Sequence, residues 1–248
     1  MAYSTHADAV RQKEPLRVIP LKDLQPRRSA PVITLSLILA NAAVFLYQAS
    51  LSPRAGDAFV NHYAVVPYKI SLALAGHHYT LADAFIPLFT SMFLHGGWLH
   101  IIGNMWFLWI FGANVEDRMG SFNYLIFYLI CGIGSGIAQT FFSWGSHIPA
   151  LGASGAIAGV LGAYIVFTPE SRILTLVPLF IIWFMARVPA WIFIGLWFLI
   201  QFISGVSALG MRSVGGVAWW AHVGGFLLGL TLARFFESTP RRAQRAVT

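Results

Sequence analysis

Residues 119–169, MGSFNYLIFYLICGIGSGIAQTFFSWGSHIPALGASGAIAGVLGAYIVFTP, run for 51 positions without one Asp, Glu, Lys or Arg. An α-helix rises about 1.5 Å per residue, so roughly 20 residues cross a hydrocarbon core of about 30 Å, and this stretch is too long for a single helix. The turn at Ser143–Pro149 divides it into two apolar helices, at about 121–142 and 152–168. Composition points the same way: 57% of the 248 residues are hydrophobic and 10% are charged, against about a quarter in soluble domains. Too few polar side chains remain to coat a water-soluble globule of this size, so the reading is a polytopic membrane protein.

The same arithmetic extends outward in both directions. Toward the N terminus, Val32–Ser50 follows Pro31 as a first span. Residues 52–92 form a long mixed connection, and an apolar stretch at about 94–113 makes a second span. Toward the C terminus, residues 173–186 are apolar but number only 14, about 21 Å as a helix, and Pro178 interrupts them. They read as an interfacial or re-entrant segment. Spans five and six follow at about 189–204 and 217–235. The expectation is an all-α membrane protein, a six-helix domain at 31–237 between basic tails at 1–30 and 238–248.

Charge supports that count. With six spans and the N terminus inside, 13 of the 16 Lys and Arg residues fall on the inside, as the positive-inside rule requires. A seventh span at 173–186 would expel the basic C-terminal tail. Both termini are therefore expected in the cytoplasm. The net charge of +7 is a topology signal rather than a nucleic-acid footprint, so no nucleic-acid partner is expected. Residues 1–30 carry no apolar core of a signal peptide. The single cysteine, Cys131, excludes an intramolecular disulfide, and no spaced ligand set predicts a metal or cofactor.

Polar groups within spans need individual explanations, because lipid does not solvate them. Span two carries His100 and Asn104 on one face, and span three carries Ser135 and Gln139 at the same spacing. Span four opens with Gly152-Ala153-Ser154-Gly155, and span six contains Ala221-His222-Val223-Gly224-Gly225. Asn41, Gln48 and Gln201 stand alone. Spans two, four and six run in the same direction, so His100, Asn104, Ser154 and His222 share the outer half of the membrane. A serine hydroxyl becomes a nucleophile when a histidine takes its proton. None of the nine acidic residues lies in a span, so a Ser154–His222 dyad is predicted. Free N–H groups at a helix start, with His100 and Asn104, supply donors for an oxyanion. Small-xxx-small pairs at 132/136, 155/159 and 225/229 allow close helix approach.

Each residue also has a plainer reading. Ser154 alone is a helix N-cap, and His222 alone is an interhelical hydrogen bond. His100 with Asn104 bridges helices in the same way. An aspartyl intramembrane protease would need two intramembrane Asp residues, and a zinc protease is expected to carry His-Glu-x-x-His; both are absent from this sequence. A transporter remains open from another class, without an internal repeat or an acidic coupling residue to support it.

The set His95-Gly-Gly-Trp-Leu-His100-Ile-Ile-Gly-Asn104, Gly152-Ala-Ser154-Gly and Ala221-His222-Val-Gly224 resembles the rhomboid family of intramembrane serine proteases. The resemblance covers about residues 32–236. It implies a six-helix rhomboid-like bundle in a bacterial-type inner (plasma) membrane that cleaves transmembrane protein substrates, with no cofactor. It also implies Ser154 as nucleophile, His222 as general base and acid, His100 and Asn104 at the oxyanion, and Ser135 and Gln139 on a route for water. A lateral substrate entrance near span five and a mobile loop at about 205–216 belong to the same family picture, as does a charged turn at Glu116-Asp117-Arg118. The chain departs from the family in two places. Many members carry a Trp-Arg pair in the first long loop, but residues 52–92 contain no Trp. Some place a Tyr four residues after the nucleophile, packed on the histidine, where this chain has Ala158. A catalytically silent rhomboid-like binding protein is the remaining alternative.

Overall fold

In the computed structural model the described residues are 19–23, 25, 29–179, 182–209 and 217–238. Most of the basic tails, and residues 210–216 of the loop expected to be mobile, lie outside them. The elements in order are β1 (Ile19–Asp23), α1 (Val32–Ser50), α2 (Pro53–Tyr63), α3 (Pro67–Leu74) and α4 (Leu81–Thr90). Then come α5 (Trp98–Phe107), a π-helical turn at Leu108–Gly112, α6 (Ala113–Met119), α7 (Ser121–Phe142) and α8 (Ser154–Phe167). The hairpin β2 (Arg172–Leu179) and β3 (Ile182–Pro189) leads to α9 (Ala190–Ala208) and α10 (Trp219–Leu232).

The molecule is mostly helical, and α1 and α7 have the bounds expected for spans one and three. Three helices, α1, α7 and α9, are long and apolar enough to cross a membrane. A fourth such unit is a bent pair, Leu81–Phe93 against Trp98–Met119, with 79° between its halves. The second apolar run therefore starts its helix at Trp98, not at residue 94, because the chain turns sharply through Gly96 and Gly97. The connection at 52–92 is mostly helical, as α2–α4. Two of these helices are capped by side chains: Ser52 accepts the Ala55 N–H, and Thr80 with Asp83 forms a capping box.

The expected all-α architecture needs correction. Residues 173–186, expected to be an interfacial or re-entrant segment, lie instead within the β2–β3 hairpin, and Ile19–Asp23 of the basic N-terminal tail pairs with it in the order β1-β2-β3. Pro178 excludes a continuous helix there, while the run is rich in the β-branched and aromatic residues that strands favour. Hydrogen bonds to the bundle anchor the tail strand. Trp106 Nε1–H donates to the Pro20 carbonyl at 2.6 Å, and Asn114 Nδ2–H to Asp23 Oδ2 at 2.5 Å.

Helix ends meet at two poles. At one, the Glu116 carboxylate accepts the N–H groups of Ile33 and Thr34 and the hydroxyls of Thr34 and Ser121, joining the start of α1, the end of α6 and the start of α7. Glu237 pairs with Arg118 and Arg234 nearby. At the opposite pole Gln48 bonds both the N–H and the carbonyl of His95, Val65 pairs with Ala150, and the Gly152 N–H donates to the Ser91 carbonyl at 2.9 Å. Between the poles α8 is buried almost all round, from Gly155 through Tyr164, so it sits at the centre of the bundle.

Candidate active site

Ser154 is the first residue of α8. No side chain caps this helix start, and the Ile157 N–H donates to the Ala153 carbonyl. The N–H groups of Ser154, Gly155 and Ala156 precede that bond and have no partner within the helix. Ser154 does not act as the N-cap that a lone serine invites. Its Oγ instead lies 2.8 Å from His222 Nε2 on α10.

That contact depends on how closely two backbones approach. A Cβ on Gly225 would stand 2.0 Å from the Gly155 carbonyl oxygen, and one on Gly229 the same distance from the Gly159 oxygen. The glycine pairs of α8 and α10 thus face each other, carbonyl against bare Cα. Any larger residue would separate the helices that carry Ser154 and His222.

His100, on α5, lies in the same site. Its Nδ1 accepts the Gly96 N–H at 3.2 Å, so the neutral ring carries its hydrogen on Nε2. Gly152 separates this nitrogen from Ser154: a Cβ there would be 2.8 Å from His100 Nε2 and 3.7 Å from Ser154 Oγ. Gly152 also has φ +118°, so backbone conformation and space both demand glycine. Asn104 is buried on the next turn, and its Nδ2–H donates to the His100 carbonyl at 2.9 Å. It therefore supports the turn that carries His100 through one of the two hydrogens on its amide nitrogen.

Ser135 and Gln139 of α7 line the other side. Ser135 donates to its own helix at the Gly132 carbonyl and packs against Gly155. Gln139 Oε1 accepts the Ala221 N–H at 3.1 Å, which holds the first turn of α10 in place, while its Nε2–H donates to Ser143 Oγ. Both residues border a cavity of about 20 Å³ together with Ser154, Gly152, Gly155 and Ala221. That volume suits one water molecule with polar neighbours.

Gln201 is the residue that sequence reasoning missed. It was read as solitary, yet its Oε1 lies 2.7 Å from His222 Nδ1. Trp197, one turn earlier on α9, sets its ring 5.7 Å from the imidazole, and Trp219 approaches edge-on at 6.4 Å. These indoles supply the aromatic contact that Ala158 lacks. The available signal was the spacing of Trp197 and Gln201, which puts both on one face of a charge-free helix. Among the described residues, no group of three His, Cys, Asp or Glu side chains is arranged to hold a metal.

Fold and site together define an integral membrane protein, mostly helical, with a serine and a histidine in contact at the buried end of a central helix. Its sequence matches the family model described as the Rhomboid domain over residues 82–238. The chain belongs to the rhomboid family. It is 31% identical over 159 residues to Rhomboid protein 1, mitochondrial, of Saccharomyces cerevisiae, covering 58% of this chain and 40% of that one. It is 41% identical over 85 residues to Rhomboid protease GluP of Bacillus subtilis, 34% of this chain and 16% of that one. RHOMBOID-like protein 6, mitochondrial, of Arabidopsis thaliana is 40% identical over 76 residues, 31% of this chain and 24% of the relative. The chain thus spans less than half the length of these curated relatives.

Proposed function

We propose that this chain is an intramembrane serine protease that hydrolyses peptide bonds in or beside transmembrane segments of other membrane proteins. The observation that carries the reading is the hydrogen bond between Ser154 Oγ and His222 Nε2, at a helix start with free N–H groups. His222 Nε2 takes the hydroxyl proton as Ser154 Oγ attacks the scissile carbonyl carbon. The oxyanion that forms is met by N–H groups at the start of α8 and by the Nε2–H of His100, with Asn104 as the second side-chain donor on α5. The C–N bond then breaks, and the proton on Nε2 passes to the leaving amine. A water beside Ser135 and Gln139 gives its proton to Nε2 and attacks the acyl ester. The acid departs as that proton returns to Ser154.

In the same reading α1, α5–α6, α7, α8, α9 and α10 make six crossings, with the pole that carries Arg118 and Arg234 in the cytoplasm of a bacterial-type inner membrane. The 14 residues of α8 reach about 21 Å, less than a hydrocarbon core of about 30 Å. Protein rather than lipid surrounds that helix, so its short length sinks Ser154 beneath the headgroups without exposing backbone to lipid. Purified protein in liposomes with a single-span reporter tests the proposal. Wild type is expected to cleave, and Ser154→Ala and His222→Ala to leave the reporter intact. Cleavage by Ser154→Ala at the wild-type rate removes the nucleophile and the proposal with it.

A further inference from the structure

His222 makes two hydrogen bonds through its ring, and only one of them reaches Ser154. The other, from Nδ1 to Gln201 Oε1 at 2.7 Å, comes from α9, a helix outside the three motifs that mark the site. Both partners are enclosed, His222 at 7% exposure and Gln201 at 6%. The rotation of α9 that aims Gln201 inward is set on both sides of it. Phe198 stacks on Phe226 of α10 at 4.4 Å, and Gly205 packs under the Trp220 ring.

The chemistry of the two groups allows that bond in one sense only. A carboxamide oxygen has lone pairs and no hydrogen, so Nδ1 must donate. A neutral imidazole with its hydrogen on Nδ1 has its lone pair on Nε2, and that nitrogen faces Ser154 Oγ. The serine hydroxyl therefore donates to Nε2, the arrangement from which its proton can be removed. The opposite tautomer would set two lone pairs against each other at Nδ1 and would turn an N–H toward the nucleophile. A buried carboxylate would select the same tautomer but would add a charge, which is costly inside a membrane. A carboxamide imposes the geometry without it.

We infer that Gln201 is the positioning residue of the Ser154–His222 pair: it accepts the Nδ1–H of His222, fixes the ring plane and keeps Nε2 free to take the serine proton. The inference rests on the protease reading above and extends it to a third member on a third helix. The hydrogen bond of Gln201 is to the histidine ring, away from Ser154, so Gln201 acts through that ring.

Three proteins in detergent micelles test it: wild type, Gln201→Met, which keeps the shape but removes the acceptor, and Gln201→Glu, which retains an acceptor oxygen. Two readouts are taken. One is the rate at which a fluorophosphonate labels Ser154, alongside kcat and KM for the reporter. The other is the ¹⁵N spectrum of the His222 imidazole, assigned by its loss in His222→Ala. Wild type is expected to show the hydrogen on Nδ1. Gln201→Met is expected to lose that preference and to fall about ten- to a hundredfold in labelling rate and kcat, with KM within about twofold. Gln201→Glu is expected to recover most of both. A wild-type His222 protonated on Nε2, or a folded Gln201→Met labelled at the wild-type rate, overturns the role of Gln201 alone. If Gln201→Met does not fold, the wild-type spectrum and the Gln201→Glu rate still decide. A wild-type Ser154 that is not labelled overturns the protease reading, and the role of Gln201 falls with it.

Discussion

Gly152 concentrates the demands of the site in one residue. Its φ of +118° disfavours any side chain, and a methyl there would press on His100 Nε2 from 2.8 Å. Gly152→Ala is therefore expected to cost about 1–3 kcal/mol in backbone strain alone, read as a lower thermal midpoint in detergent. It should also slow Ser154 labelling, because the imidazole must move. At this scale the sequence was highly legible. Ser154, His222, His100 and Gly152 are polar or conformationally special residues, and they stand out in apolar runs where lipid solvates no polar group. Gln201 was not legible, because a single glutamine on a helix of uncertain rotation has no partner in sequence space. Its meaning depends on which way α9 turns, and aromatic stacking with α10 decides that. Asn104 shows the reverse case, since its place on the His100 face was readable while the carbonyl it bonds was not.

Among elements, the α8–α10 contact governs whether the site exists. Gly229 lies nearly two turns beyond His222, yet Gly229→Ala would set a Cβ 2.0 Å from the Gly159 carbonyl oxygen, and backbone cannot move aside as a flexible side chain can. The expected loss is about 1–3 kcal/mol with separation of the two helices. Ser154 labelling should fall although no site residue has changed. Gly195→Ala on α9 is the contrast. A Cβ there meets nothing within 4 Å, so this variant should keep wild-type labelling and gain about 0.5–1 kcal/mol from the better helix former. Equal thermal midpoints for the two variants would show that helix approach does not depend on these glycines. Element boundaries were readable wherever charge or proline interrupted an apolar run. The β2–β3 hairpin was not, because 14 apolar residues fit a buried strand pair as well as an interfacial helix, and the deciding partner, β1, comes from about 150 residues away.

Across the whole molecule, the charged pole ties distant parts of the chain together. Burial tends to raise the pKa of the Glu237 carboxyl, but hydrogen bonds and charge from Arg234 and Arg118 outweigh it and hold the pKa below the ordinary value of 4.5. A depressed carboxylate stabilises the fold in full above that unfolded value, and its contribution is lost as pH falls through the lower folded-state value. Thermal midpoints measured from pH 6 to pH 3 should therefore drop at the acid end, and Glu237→Gln should flatten that part of the slope. An unchanged slope would mean that the pair with Arg118 does not couple α6 to the segment after α10. The sequence by itself determined the lipid-facing character of the chain, its main apolar helices and the serine and histidine worth watching, because hydropathy and charge act locally and every span must satisfy them alone. Only the tertiary structure decided that Ser154 meets His222, that Gln201 stands behind it and that a tail strand completes a sheet. Those facts are distances between residues far apart in the chain, and they follow from how helices pack rather than from what each helix contains.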